Sequence, residues 1–157
     1  MFKKVRFSLL LILALTLPGL VAAHGVTHGN IVVTHAWMRA VVVPGMNGGG
    51  YLKISNGGAE ADRLVAVRTA IAASVELHET VERDGMMHMD ELPEGIPVPA
   101  GGEVALQPGG LHIMLMKVAR KVDAGEQIPV ILVFEKAGEI ETHFAVQPLS
   151  GSETTHH

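Results

Sequence analysis

Apolar and polar residues alternate in short runs along this chain, and glycine or proline closes nearly every run. A period of two puts successive side chains on opposite faces of an extended strand, so each run can bury one face and wet the other. The runs predict strands over Ile31–Arg39, Gly49–Ser55, Arg63–Arg68, Ser74–Thr80, Met86–Glu91, Glu103–Gln107, Leu111–Val118, Ile128–Glu135 and Ile140–Gln147. Turn signals stand between them, among them Pro44-Gly45, Asn56-Gly57-Gly58, Asp84-Gly85, Pro108-Gly109-Gly110 and Ala137-Gly138. Helical periodicity is never sustained, and Thr69–Ser74 has room for one helical turn at most. Many short strands at this spacing predict an all-β domain, an antiparallel Greek-key β-sandwich. No internal repeat or second domain interrupts the pattern.

The N-terminus follows another logic. Lys3, Lys4 and Arg6 precede an apolar run from Leu9 to Leu17, and Val21-Ala22-Ala23 supplies small residues for cleavage. The apolar run is shorter than the roughly 20 residues of a membrane span. The expected organisation is a signal peptide at 1–23, a mobile tail at 24–29, one domain at 30–148 and a second mobile tail at 149–157. Such a protein is exported, periplasmic and soluble, with no membrane insertion after signal cleavage. The chain has no cysteine, so the expected domain has no lipoprotein anchor and no disulfide, and holds itself by its core. Nor can it form a blue-copper electron-transfer centre, which needs a thiolate.

Charge narrows the partners. Three of the twelve Lys and Arg, and none of the sixteen Asp and Glu, precede His24, so the remainder carries −7. Nucleic acid and anionic membranes want basic patches, and both are expected to be absent as partners. Enzymatic motifs are missing too. Gly48-Gly49-Gly50 lacks the Lys-Ser/Thr of a phosphate loop, and no serine stands in a nucleophile elbow. The expectation is a binding protein and not an enzyme.

The chemistry that remains is that of His78, Met89, His112 and Met114. Thioethers are soft and neutral and imidazoles borderline, so a site built from both suits Cu(I) over zinc, magnesium or calcium. In Leu111–Met116, His112 and Met114 share one strand face while Leu111, Ile113 and Leu115 share the other. With the leucines and isoleucine in the core, imidazole and thioether are expected outside. In Ser74–Thr80, Val75 and Leu77 turn inward, leaving Glu76, His78 and Thr80 on the polar face; Glu76 and Thr80 are placed to orient the imidazole. Met87 and Met89 share a face opposed to Met86 and His88, which leaves His88 a solvated side chain. Met116 reads as a packed rim residue, His35 and His143 as structural, and Trp37 as core. A catalytic zinc site wants three His, or two His and a carboxylate. His78, His112 and Glu76 could mimic one, but the methionines would then have no role.

Several segments together resemble one family. His78-Glu79-Thr80, Met89, Pro99-Ala100-Gly101-Gly102 and Pro108–Met116 are similar to the periplasmic copper chaperones called PCu(A)C, as are Ala36–Arg39, Gly50-Tyr51-Leu52, Ala61–Val65 and Phe134–Gly138. The likeness spans roughly residues 30 to 147. The family signature is His, ten residues, Met, twenty-one residues, His, one residue, Met. Here ten residues separate His78 from Met89, but twenty-two separate Met89 from His112. The extra residue is assigned to the loop Asp90–Gly95, and it leaves Met87 as the alternative to Met89.

The resemblance implies a cupredoxin-like sandwich that holds one Cu(I) through His78, Met89, His112 and Met114. It also implies an acceptor: the cytochrome oxidase subunit carrying the copper-A site, together with a Sco-type thioredoxin-like protein. Copper sequestration without delivery, or a copper metalloenzyme, are the competing readings. Separately, His24 and His28 at one end and His156 and His157 at the other could hold a second ion, Cu(II), which prefers nitrogen donors.

Overall fold

A computed structural model describes residues 25–150. Eleven strands follow in chain order: β1 (Val26–His28), β2 (Ile31–Arg39), β3 (Gly48–Asn56), β4 (Asp62–Arg68), β5 (Ala72–Arg83), β6 (Met86–Glu91), β7 (Ile96–Val98), β8 (Glu103–Leu106), β9 (Leu111–Val118), β10 (Gln127–Phe134) and β11 (Gly138–Gln147). They form one sheet in the order β6-β5-β9-β3-β2-β11-β10-β4-β7, with β1 added to β2 and β8 to β3. Leu77, Ile113 and Leu115 from one end of that order share a single apolar core with Leu64, Ile96, Val98 and Leu132 from the other. The sheet therefore folds over on itself as a sandwich, the all-β architecture the alternation predicts. The pairing is mixed. β11 lies parallel to β2 through Ala145↔Trp37 and Val146↔Met38, while the other pairs are antiparallel.

Glycine allows one close approach inside the fold. A Cβ on Gly50 would sit 2.8 Å from the ring of Phe144, so the bare backbone of β3 lets a β11 side chain fill the centre. The β5–β6 turn has φ of 54° at Asp84 and 73° at Gly85, the doubly positive pair that a tight hairpin requires.

Three expectations change, and one strand is added to those predicted. Val26–His28, assigned to a mobile tail, pairs with Val33–Ile31 as a short antiparallel strand. Ile96–Val98 forms the edge strand β7 on β4; its central Pro97 hides it in the sequence, because proline is tolerated only at an edge. Thr69–Ser74 holds no helical turn: Ala70 and Ile71 make a turn and Ala72–Ser74 join β5. Trp37 is not core. His35, at φ 52°, is an extra residue between the Thr34↔Lys53 and Trp37↔Tyr51 pairs. Such a bulge reverses the alternation, so Ile31 and Val33 point inward before it and Met38 after it. Trp37 is left half-buried on the outer face, its ring 4.5 Å from Tyr51 with Arg39 above it at 5.6 Å.

Candidate metal centre

β5 and β9 run antiparallel in a register that puts His78 opposite His112, Glu76 opposite Met114 and Ser74 opposite Met116. β6 continues the sheet on the far side of β5, with Met89 opposite Thr80 and Met87 opposite Glu82. Side chains opposite one another in a ladder share a face, so His78, Thr80, Met87, Met89, His112 and Met114 all project to one side. The apolar set Leu77, Ile113 and Leu115 projects to the other, into the core. Face assignment from alternation thus holds here.

Exposure does not follow from face. His112 is only 4% exposed and the His78 side chain 13%, where an open surface was expected. Tyr51, which alternation alone leaves without a role, lines the same cleft as His112 and Met114. A Cβ on Gly49 would lie 2.7 Å from the Tyr51 hydroxyl, so that ring lies back over the glycine that pairs with Met114. The run of glycines before Tyr51 was the available signal, since glycine within a strand marks close approach. Tyr51, Thr80, Met89, His112 and Met114 line one cleft of about 240 Å³.

Each imidazole uses one nitrogen on the protein. His112 Nδ1 lies 3.0 Å from the Gly110 carbonyl oxygen, which can only accept, so Nδ1 carries the proton. His78 Nε2 lies 2.8 Å from a Glu76 carboxylate oxygen and donates to it. The remaining atoms, His78 Nδ1 and His112 Nε2, are buried and have no hydrogen-bond partner. Among the described residues they are the buried side-chain nitrogens and oxygens in that condition. The rings stand 5.6 Å apart, edge to face at 69°. An unmet buried polar atom costs about 1–3 kcal/mol. Each ring is thus oriented through one nitrogen while the other is left without a partner, as happens where a histidine holds a ligand from outside the chain.

The sulfur atoms differ from one another. Met114 is half-buried beside Gly49, whereas Met89 is 60% exposed at the cleft's outer edge. Met87, equally exposed, does not line the cleft; Met86 and His88 are exposed on the opposite face. Met116 is half-buried further along β9. Among the described residues, no three His, Asp or Glu side chains gather as a metal site. His35 and His143 sit exposed in β2 and β11, and His28 is exposed in β1. His24, His156 and His157 lie outside the described residues. Among the described residues, no helix is long and apolar enough to cross a membrane.

Comparison with known proteins adds to this geometry. The family model described as "Putative lipoprotein LpqE-like" matches residues 31–146. The protein named "Putative lipoprotein Lxx21020" from Leifsonia xyli subsp. xyli is 32% identical over 139 residues, which span 88% of this chain and 82% of that protein. Among solved structures, the copper-bound PCuAC domain from PmoF2 superposes with a TM-score of 0.68 at 29% identity, over 80% of this chain and 98% of the domain. The apo PCuAC domain from PmoF1 gives 0.68 at 28% identity, over 80% of this chain and 99% of the domain. The solution structure of CuI-DR1885 from Deinococcus radiodurans gives 0.57 at 27%, over 73% of this chain and 78% of that one. The resemblance to PCu(A)C domains is thus present in fold as well as in sequence.

Proposed function

We propose that this chain, which belongs to the LpqE-like family, is a copper chaperone that holds one Cu(I) between His78, Met89, His112 and Met114. The observation that carries the reading is the pair of buried, unpartnered nitrogens, His78 Nδ1 and His112 Nε2, on rings 5.6 Å apart and edge to face, with His112 lining the cleft that Met89 and Met114 also line. A cation with bonds of about 2 Å to imidazole nitrogen would meet both lone pairs at once. Two thioethers in the remaining positions make the site soft and uncharged, which favours Cu(I) over Zn(II). Similarity to PCuAC domains, one of them copper-bound, supports the same choice of metal.

The chain's own residues divide the work. Glu76 and the Gly110 carbonyl hold one nitrogen of each ring, which leaves the other nitrogen of each for the ion. Tyr51 lines the cleft together with His112 and Met114, and Met89 in the same lining is open to solvent. Neutral ligands exchange without proton release, so the exposed Met89 is the ligand that can be given up first as the ion leaves for an acceptor. The acceptor in this reading is the copper-A subunit of a cytochrome oxidase, with a Sco-type protein alongside, in the periplasm after removal of residues 1–23. Titration of protein beginning at His24 with Cu(I), against a competing chelator under reducing conditions, tests the proposal. One equivalent of Cu(I) should bind, and Zn(II) should not displace it. Equal uptake of zinc, or no Cu(I) capture, overturns it.

A further inference from the structure

Three methionines on one edge strand are held in water. Met86, Met87 and Met89 are 64%, 62% and 60% exposed, and none belongs to the apolar core. Met89 lines the cleft, and Met87 does not. Yet Met87 shares Met89's face, two residues nearer the hairpin tip, opposite Glu82. Alternate residues of a strand lie about 6.6–6.8 Å apart, within reach of two flexible thioether side chains. The tight Asp84–Gly85 turn and the Arg83–Asp90 ion pair across the hairpin hold the tip in place. That ion pair lies on the far face, while Glu82 lies directly opposite Met87 on its own face, a carboxylate favourable to a cation there. Behind this rim the two imidazoles are nearly closed off.

We infer that Met87 is the entry and exit relay for Cu(I), a transient ligand that passes the ion to and from the site behind Met89. The inference rests on the copper reading above and adds a kinetic path to it. On entry, a Cu–S bond to Met87 forms as a bond to the donor molecule breaks. The Met89 thioether then binds, the Met87 bond breaks, and the imidazole lone pairs complete the set. Copper stays Cu(I) throughout, and no proton or electron moves. A relay lowers the barrier in both directions equally, so its loss slows exchange without shifting the equilibrium.

The experiment mixes Cu(I)-loaded protein with bathocuproine disulfonate, whose colour reports transfer; the initial rate gives exchange and the end point gives affinity. Met87→Leu keeps apolar volume at an exposed position, so the fold is retained. We expect it to slow transfer about tenfold with the end point unmoved. Met86→Leu, on the opposite face, should alter neither quantity. An unchanged rate in Met87→Leu overturns the relay, as does equal slowing in Met86→Leu. An end point shifted as far as the rate also overturns it, because Met87 would then be a resident ligand. Failure of the wild-type protein to load Cu(I) at all is a different result, and removes the copper reading itself.

Discussion

Two buried polar clusters in this domain are built to opposite specifications. At the start of β4, Asp62 is 8% exposed, and its carboxylate accepts backbone N–H groups from Arg63, Lys136 and Ala137 at 2.8, 2.9 and 3.0 Å. Burial alone would raise its pKa, but the hydrogen bonds from Lys136, Arg63 and Ala137 outweigh that and hold it below the usual carboxylate value. Between β5 and β9, His78 and His112 are similarly enclosed, yet each keeps one nitrogen with no partner. A buried group whose hydrogen bonds are complete ties chain segments together. One left incomplete in an otherwise satisfied fold points to a ligand from outside the chain. The difference separates architecture from function without reference to any motif.

The comparison breaks most visibly if Asp62 is removed. Asp62→Ala leaves three inward N–H donors without their acceptor, and the expected cost is roughly 3–5 kcal/mol of stability. Urea denaturation measures it. Cu(I) affinity of the folded fraction should not change, since Asp62 lies outside the cleft. A loss below about 1 kcal/mol would mean that the carboxylate is not the tie that its hydrogen bonds suggest.

Next in size is the stabilisation that copper itself should bring. Ligand present at a hundredfold excess over its dissociation constant adds about 2.7 kcal/mol. His112→Ala should abolish that gain. In the metal-free protein the same substitution gains by removing an unmet polar atom and loses one hydrogen bond and the packing of a buried ring, so the net change should stay within about 1–2 kcal/mol. The pairing sharpens the contrast: Asp62→Ala costs stability and spares copper, while His112→Ala costs copper and largely spares stability. Denaturation of both variants with and without Cu(I) checks all four corners.

Acidification should also distinguish the clusters. Asp62 is depressed from a reference value of 3.8, so its contribution is fully present above that value and is lost as pH falls through its lower folded pKa. Metal-free wild-type protein followed by urea denaturation from about pH 6 to about pH 3 should lose stability more steeply at the acid end than Asp62→Asn. Identical slopes would remove Asp62 from the account.

Much of this was legible in the sequence, and the failures have common causes. Ile31–Arg39, Met86–Glu91 and Leu111–Val118 have the bounds that alternation and turn residues predict, because those signals are local. The faces of His78 and His112 were legible for the same reason. Their burial was not: exposure depends on what other strands lay over a face, such as Tyr51 of β3, which lines the cleft with His112, and no period within β5 or β9 encodes that. Trp37 was misplaced because the bulge at His35 reverses parity within β2. The choice between Met87 and Met89 needs the β5–β6 register, which also comes only from the structure.

The smallest expected effect on the fold comes from methionine oxidation. It separates the exposed sulfur side of the site from the buried nitrogen side. Sulfoxide replaces a soft donor by a hard polar group, and exposed methionines react first. Met86, Met87 and Met89 should be modified earliest, Met46 at 48% exposure next, and half-buried Met114 later. Met38, fully buried, should be spared, although alternation without the bulge would have left it outside. These changes fall on surface side chains, so the metal-free fold should lose less than about 0.5 kcal/mol. Cu(I) capture should nonetheless fail. A Met86→Leu, Met87→Leu double variant treated with mild peroxide isolates the question, because Met89 is then the exposed methionine on β6. Mass mapping locates the sulfoxides and a Cu(I) titration follows. Undiminished capture with Met89 fully oxidised would take it out of the ligand set. The site would then reduce to two imidazoles and Met114, all on the enclosed side.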